Sequence, residues 1–236
     1  MIRRGPVVEV IACSVSDAIE AQRGGAGRLE IIRDFHRGGL TPPLELVQDI
    51  LEAVTLPVRV MLREGDSYEV VGEAEREKLC AAARRLSGLN EAGVDGLVLG
   101  FMCKGEIDVQ LTERVLSCAQ NLKATFHHAF EEAEDAFTAI LVLKRLKQVN
   151  RILTSGGNGE WSEKIERLSR FEEKVGPEIE VLAGGGIDQQ SIRMICQATG
   201  IREFHVGRAA RGPDSAAGVV RSERVKALVE TAQEWC

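Results

Sequence analysis

No apolar run in this sequence approaches the ~18–20 residues that cross a bilayer. The start, Met1-Ile2-Arg3-Arg4, is charged but leads straight into a short strand, too short for the apolar core of a signal peptide. There is no Pro/Gly/Ser-rich linker and no break in composition, so the 236 residues read as one domain, 1–236. Nor is there a basic excess. The formal net charge is -6 with acids and bases interspersed, which argues against a nucleic-acid surface. The basic stretches at 84–85 and 144–147 read as solvated helix faces. None of the six cysteines (Cys13, Cys80, Cys103, Cys118, Cys196, Cys236) forms a C-x-x-C pair. Their spacing fits neither a zinc ribbon nor a disulfide framework, and this points to a reducing cytoplasm. Cys80, Cys118 and Cys196 fall in helical patterns and read as core packers.

What is present is a rhythm. Short apolar runs lie at Val8–Cys13, Arg28–Ile32, Val58–Arg63, Gly96–Met102, Ala124–Ala129, Arg151–Ser155, Glu180–Gly184 and Glu203–Gly207. Segments of helical periodicity separate them. That alternation predicts an α/β fold, a closed (β/α)8 barrel of the TIM type, whose usual length is roughly 250 residues. Helix starts are marked by Ser14 or Ser16, by Thr41 before Pro42, and by Asp108, Asp135 and Asp188. The connections Glu64–Gly72 and Gly212–Gly218 are the candidates for mobile loops.

Side chains alternate across a strand, so the aliphatic face of each run should meet the helices and the other face the barrel axis. This test places Glu9 and Cys13, Glu30 and Ile32, Arg59, Met61 and Arg63, Thr125 and His127, Arg151, and His205 and Gly207 inward, with Ser155 near the rim. Barrel interiors normally fill with branched aliphatics. Buried charges cost several kcal/mol each unless paired. One reading is therefore an ion-pair lattice that only fixes the barrel. The other is a site, because Arg63, His127 and Ser155 lie near strand C-terminal ends, where barrel enzymes act. A cavity ringed by Glu9, Glu30, Arg63, His127 and Arg151 is expected.

Glycines close the last strands. Gly184-Gly185-Gly186 precede a helix at Asp188, and Gly207 ends the eighth run. Such turns let backbone N–H groups approach an anion, so Gly185, Gly186 and Gly207 form a candidate phosphate cradle, with Arg208 or Arg211 as added charge. For a metal, Cys13 and His205 face inward on neighbouring strands and are the pair that copper would use. His127 and His128 point to opposite faces and do not chelate together.

Several strings together resemble the CutC family, named for copper homeostasis. They are Val8-Glu9-Val10, Arg28-Leu29-Glu30-Ile31, Gly38-Gly39-Leu40-Thr41-Pro42, Thr125-Phe126-His127-His128-Ala129-Phe130, Arg151-Ile152-Leu153-Thr154-Ser155-Gly156-Gly157 and Ala183-Gly184-Gly185-Gly186. The resemblance implies a cytoplasmic TIM-type barrel with Glu9, Glu30, Arg63, His127, Arg151 and the turn at 154–157 around its pocket. The chain departs from the family in four places. Ile11 and Ile32 stand where the family often has cysteine, the loop after the third strand is reduced to Arg63-Glu64-Gly65-Asp66, and His128 replaces an arginine.

The reading these residues support is an enzyme acting on a small anionic, phosphorylated, sugar-like molecule by isomerase- or lyase-type chemistry. His127 and Glu30 are its acid/base pair, with Glu9 beside them. Arg63, Arg151, Ser155, Gly185, Gly186, His205 and Gly207 are its substrate contacts. No organic cofactor is expected. The alternative is a Cu(I)-binding copper homeostasis protein, and the third option is a barrel that acts through homo-oligomer surfaces.

Overall fold

The computed structural model describes residues 5–236. Eight parallel strands close a barrel: β1 (Val7–Ala12), β2 (Arg28–Ile31), β3 (Val58–Met61), β4 (Val94–Leu99), β5 (Lys123–Phe126), β6 (Val149–Thr154), β7 (Glu180–Ala183) and β8 (Glu203–Val206). Each strand pairs with its sequence neighbours, and β1 closes on β8 with Glu9 opposite His205. The helices α1 (Val15–Arg23), α2 (Leu44–Ala53), α3 (Glu73–Ser87), α4 (Val109–Ser117), α5 (Ala136–Leu143), α6 (Trp161–Val175), α7 (Gln189–Ala198) and α8 (Ser222–Trp235) follow them in turn. The predicted (β/α)8 barrel is the observed fold.

Local chemistry sets the helix starts. The side chains of Ser14, Asp108, Asp135 and Asp188 accept the first free amides of α1, α4, α5 and α7, which an N-cap requires. Thr41 does not cap α2, whose N-cap is Pro43. Instead its hydroxyl accepts the Arg63 amide at 2.9 Å and donates to the Arg63 carbonyl at 3.0 Å. This ties the loop after β2 to the end of β3. The fourth strand ends before Gly100, and Met102–Cys103 starts a small hairpin with Glu106–Ile107.

Two connections expected to be mobile carry specific bonds. The loop after β3 is held by Tyr68, whose carbonyl accepts the Met102 amide at 2.9 Å. Residues 211–212 pair antiparallel with 219–220. Arg211 is buried there, reaching Asp17 at 3.0 Å and the Ile11 carbonyl at 2.9 Å. It is therefore spent on structure and is not available to an anion. Cys196 and Cys236 also depart from expectation. They form a disulfide, with Cα atoms 5.1 Å apart. Packing of α7 against α8 brings them together across 40 residues of sequence, a separation at which no spacing motif is visible.

Apolar burial is split in two. The large core lies between barrel and helices. A small one, Ile11, Ile32, Met61 and Val98, lies inside the barrel. Below it, the floor is polar. Arg28 pairs with Glu9 and, at 2.7 Å, with Glu203; Arg151 closes on Glu203 at 2.5 and 2.8 Å. Arg59, fully buried, reaches Asp95, Thr125 and Asn150. Removing one partner from such a lattice leaves another charge bare. Arg28→Met, which removes the guanidinium that Glu9 and Glu203 share, should cost about 3–5 kcal/mol in urea unfolding; a change under about 0.5 kcal/mol would mean the lattice does not hold the barrel.

Candidate functional site

A cavity of about 560 Å³ opens at the C-terminal mouth of the barrel, with Ile11 and Met61 of the inner apolar cluster in its wall, within the usual range for small-ligand sites. Glu30, Arg63, His127, His205, Gly185, Gly186 and Gly207 all line it. Three expected members do not. Glu9 lies one layer deeper, joined to the cavity through His205. Arg151 belongs to the floor and is held by Glu203 through two hydrogen bonds. Ser155 stands behind Gly185, its hydroxyl exchanging bonds with the Gly157 backbone. The alternation had given Arg151 the right face but not the right height. It lies within β6, four residues before Ser155, about two inward steps down the barrel.

The deepest feature is a chain of three ionisable groups. The Nδ1 of His205 is 2.8 Å from Glu9 Oε1, and its Nε2 is 3.4 Å from Glu30 Oε2. Closure of β1 on β8 places Glu9 beside His205, and β2 brings Glu30 from the other side. Burial raises the Glu9 carboxyl, but Arg28 and His205 outweigh it and hold Glu9 well below the usual carboxylate range. At Glu30 burial wins over the attraction of His205, and the carboxyl is pushed up to about 7. His205 feels burial against its charged form, but Glu30 and Glu9 outweigh that and raise it. Glu9 therefore stays ionised, while Glu30 and His205 hold a proton between them near neutral pH. Glu30 Oε1 is buried and has no partner. The imidazole that pairs with Glu30 is thus His205 rather than His127.

His127 stands just after β5, where its Nδ1 accepts the Ala129 amide at 3.2 Å. Tyr68 packs against it with ring centroids 5.0 Å apart and planes inclined by 46°, and Arg63 lies 4.8 Å over Tyr68. Tyr68 is the chain's only tyrosine; it sits in a loop outside any strand period, so its rarity was the only signal that could have marked it. His128, at the rim, contacts Glu131 at 3.3 Å, and Glu131 also takes the Thr154 hydroxyl and Ser155 amide.

At the rim beside His128, Gly185 and Gly186 have φ of +83° and +92°, the region glycine adopts without strain. Beyond Gly186 there is open space. No acceptor within the described residues takes the amides of 185–187. The helix end itself is less open, because the Asp188 carboxylate already accepts the Ser191 amide at 2.8 Å. Gly207 has a packing role: a Cβ there would lie 2.5 Å from Phe35 Cζ.

Copper finds a poor fit. Both His205 nitrogens face carboxylates, and the Cys13 sulfur is 3.7 Å from the Arg211 guanidinium. Burial pushes the Cys13 thiol up to about 11, which disfavours the thiolate that Cu(I) prefers. Among the described residues no group of three or more His, Cys, Asp or Glu side chains is placed to hold a metal ion.

The raised Glu30 carboxyl carries a stability signature. A carboxyl raised on folding stabilises below its unfolded value near 4.3, and that contribution is lost as pH rises through about 7. Wild type should therefore lose on the order of 1–3 kcal/mol relative to Glu30→Gln between pH 4.5 and 7.5. Parallel urea titrations read this difference, and a flat difference would show that Glu30 titrates normally.

Comparison with known proteins agrees with the geometry of the fold. A family model described as the CutC family matches residues 7–210. The human protein named copper homeostasis protein cutC homolog is 34% identical over 202 residues, covering 85% of this chain and 72% of its own. The crystal structure of CutC from Streptococcus agalactiae superimposes with a TM-score of 0.75 at 27% identity, covering 86% of this chain and 98% of that one. N-(5'-phosphoribosyl)anthranilate isomerase from Pyrococcus furiosus matches over 97% of this chain and 99% of its own at 12% identity, TM-score 0.59, which is a likeness of fold alone. With the family model spanning most of the barrel, the chain belongs to the CutC family.

Proposed function

We propose that this CutC-family barrel is an acid–base enzyme for a small anionic molecule bound at its C-terminal mouth. The observation that carries the reading is the Glu9–His205–Glu30 chain ending in an unpartnered carboxylate oxygen inside a cavity. A carboxyl near neutrality, linked to an imidazole, exchanges protons in both directions at physiological pH. Isomerase or lyase chemistry fits, since both need a proton taken and returned. The free amides at Gly185 and Gly186, with Arg208 on the same wall, favour a phosphate group there. Asp188 and Asp214 also line the cavity, so the anion is expected on the Gly186 side and not deeper toward α8. A cytoplasmic setting belongs to the same proposal; four free cysteines support it, and the Cys196–Cys236 bond is the opposing observation.

Copper handling is the second reading, with Cu(I) as cargo. The printed name of the human relative favours it more directly than it favours an enzyme. The side chains favour it less, for the reasons given above at Cys13 and His205.

Phosphate and copper titrations separate the two. Millimolar inorganic phosphate should raise the thermal midpoint, by up to about 2.7 kcal/mol of stabilisation at a hundredfold excess over Kd. Gly186→Asp, which puts a carboxylate in the cradle, should abolish the effect. No rise with phosphate removes the phosphorylated ligand from the account. Once a substrate is in hand, Glu30→Gln should lower kcat by about 10²–10⁴. Tight stoichiometric Cu(I) binding by reduced protein, lost in Cys13→Ser, would instead make copper the primary reading.

A further inference from the structure

We infer that His127 meets the cavity as a fixed Nε2–H donor, so that the ligand presents an oxygen acceptor, a carbonyl or the oxyanion formed from it, to this ring while Glu30 faces the same ligand. This rests on the acid–base reading above and divides its labour differently from a His127–Glu30 pair. The argument begins with the Ala129 amide. A backbone N–H only donates, and it points at His127 Nδ1 at 3.2 Å. Nδ1 must then carry the lone pair, which leaves the single ring proton of a neutral imidazole on Nε2. The tautomer follows from a partner whose role is unambiguous.

The ring is also kept neutral. Burial disfavours the charged form, and the neighbouring His128 and Arg63 add to this, bringing His127 down to about 3. Tyr68, tilted against the ring, supplies no charge, since burial raises its phenol further. Among the described residues no carboxylate bonds the ring. The position is enforced from below by Gly100, where a Cβ would stand 2.5 Å from Nδ1. A separation that short admits only glycine unless the ring moves.

What remains is a buried Nε2 with no partner. An unsatisfied buried donor costs about 1–3 kcal/mol. Glu30 Oε1 and Arg63 Nε are orphans on the same cavity. His127 offers a proton to an oxygen and Glu30 exchanges a proton, and together they describe a hydroxycarbonyl compound. Glu30 as carboxylate takes the proton from the carbon next to the carbonyl. The C–H electron pair becomes the enolate, and its oxygen is held by the His127 Nε2–H. Glu30 then returns the proton to the adjacent carbon while the hydroxyl proton moves to the enolate oxygen. No oxidant, reductant or co-reactant is consumed. A donor fixed where negative charge develops, away from water, contributes most in the transition state. With its lone pair turned to Ala129, the ring is not a ligand for copper at Nε2.

The test is imidazole 15N NMR of the full-length protein with labelled histidine, assigned with His127→Gln, from pH 5 to 9. The expected result is a bare Nδ1 and a protonated Nε2 at His127 throughout. A short phosphorylated carboxylate such as phosphoglycolate should shift the Nε2–H resonance, and Cu(I) should leave it in place. Bare Nε2 with protonated Nδ1, an imidazolium above pH 5, or loss of the Nε2–H signal on adding Cu(I) would overturn the inference. Phosphate binding and turnover of Glu30→Gln are read separately. A protonated Nε2 in a protein that ignores phosphate would sink the phosphorylated ligand and leave the donor assignment standing.

Discussion

The ion pair between Arg28 and Glu9 sets the protonation of everything above it. Both groups are inside the barrel, where an isolated charge would cost several kcal/mol. Arg28 keeps Glu9 ionised; Glu9 fixes Nδ1 of His205 as the proton-bearing nitrogen; and His205 turns its other nitrogen to Glu30. Each step follows from the one below. Without Arg28, burial of the Glu9 carboxyl would be opposed by His205 alone, and the anchor of His205 and its link to Glu30 would weaken with it. The lattice on the floor and the reactive groups at the mouth are thus parts of one stack, and the choice between structural and functional charges applies layer by layer.

Between floor and mouth lies the apolar ring of Ile11, Ile32, Met61 and Val98. It desolvates Glu30 from the side, with Ile11 opposite on β1 and Ile32 two residues nearer the mouth, and burial is the largest cause of that carboxyl's upward shift. Two of these residues, Ile11 and Ile32, occupy positions where the resemblance led to an expectation of cysteine. Aliphatic side chains there remove soft ligands and dry the site together. The same substitution therefore weakens a thiolate copper site and strengthens the case for proton chemistry in this chain.

Much of this arrangement was legible in the sequence, and the failures have physical causes. Alternation along short strands correctly sent Glu9, Glu30, Arg63, His127 and His205 inward, because an aliphatic face leaves only one side for a charge. Alternation has no vertical coordinate, so it groups Arg151 with Glu30 and His127 around one cavity, whereas Arg151 belongs to the floor. It also does not say which strands touch across the axis. Glu30 was matched with His127, whereas closure of β1 on β8 gives it His205. Loop residues carry no period at all, and Tyr68 and Phe35 were missed for that reason. Arg211 was placed in a loop and is instead buried against Asp17, since hairpin pairing at 211–220 leaves no trace in local composition. The Cys196–Cys236 bond depends on how α7 meets α8, which no spacing rule encodes.

The comparisons identify a family and a fold; the charge state at the mouth separates proton chemistry from cargo binding. Infrared difference spectroscopy of the full-length protein across pH 5 to 9, against Glu30→Gln as reference, reads that state directly. The stack predicts a protonated-carboxyl band in wild type that disappears near pH 7 and is absent from the variant. A Glu30 band already lost by pH 5, as for a solvated carboxylate, would contradict it.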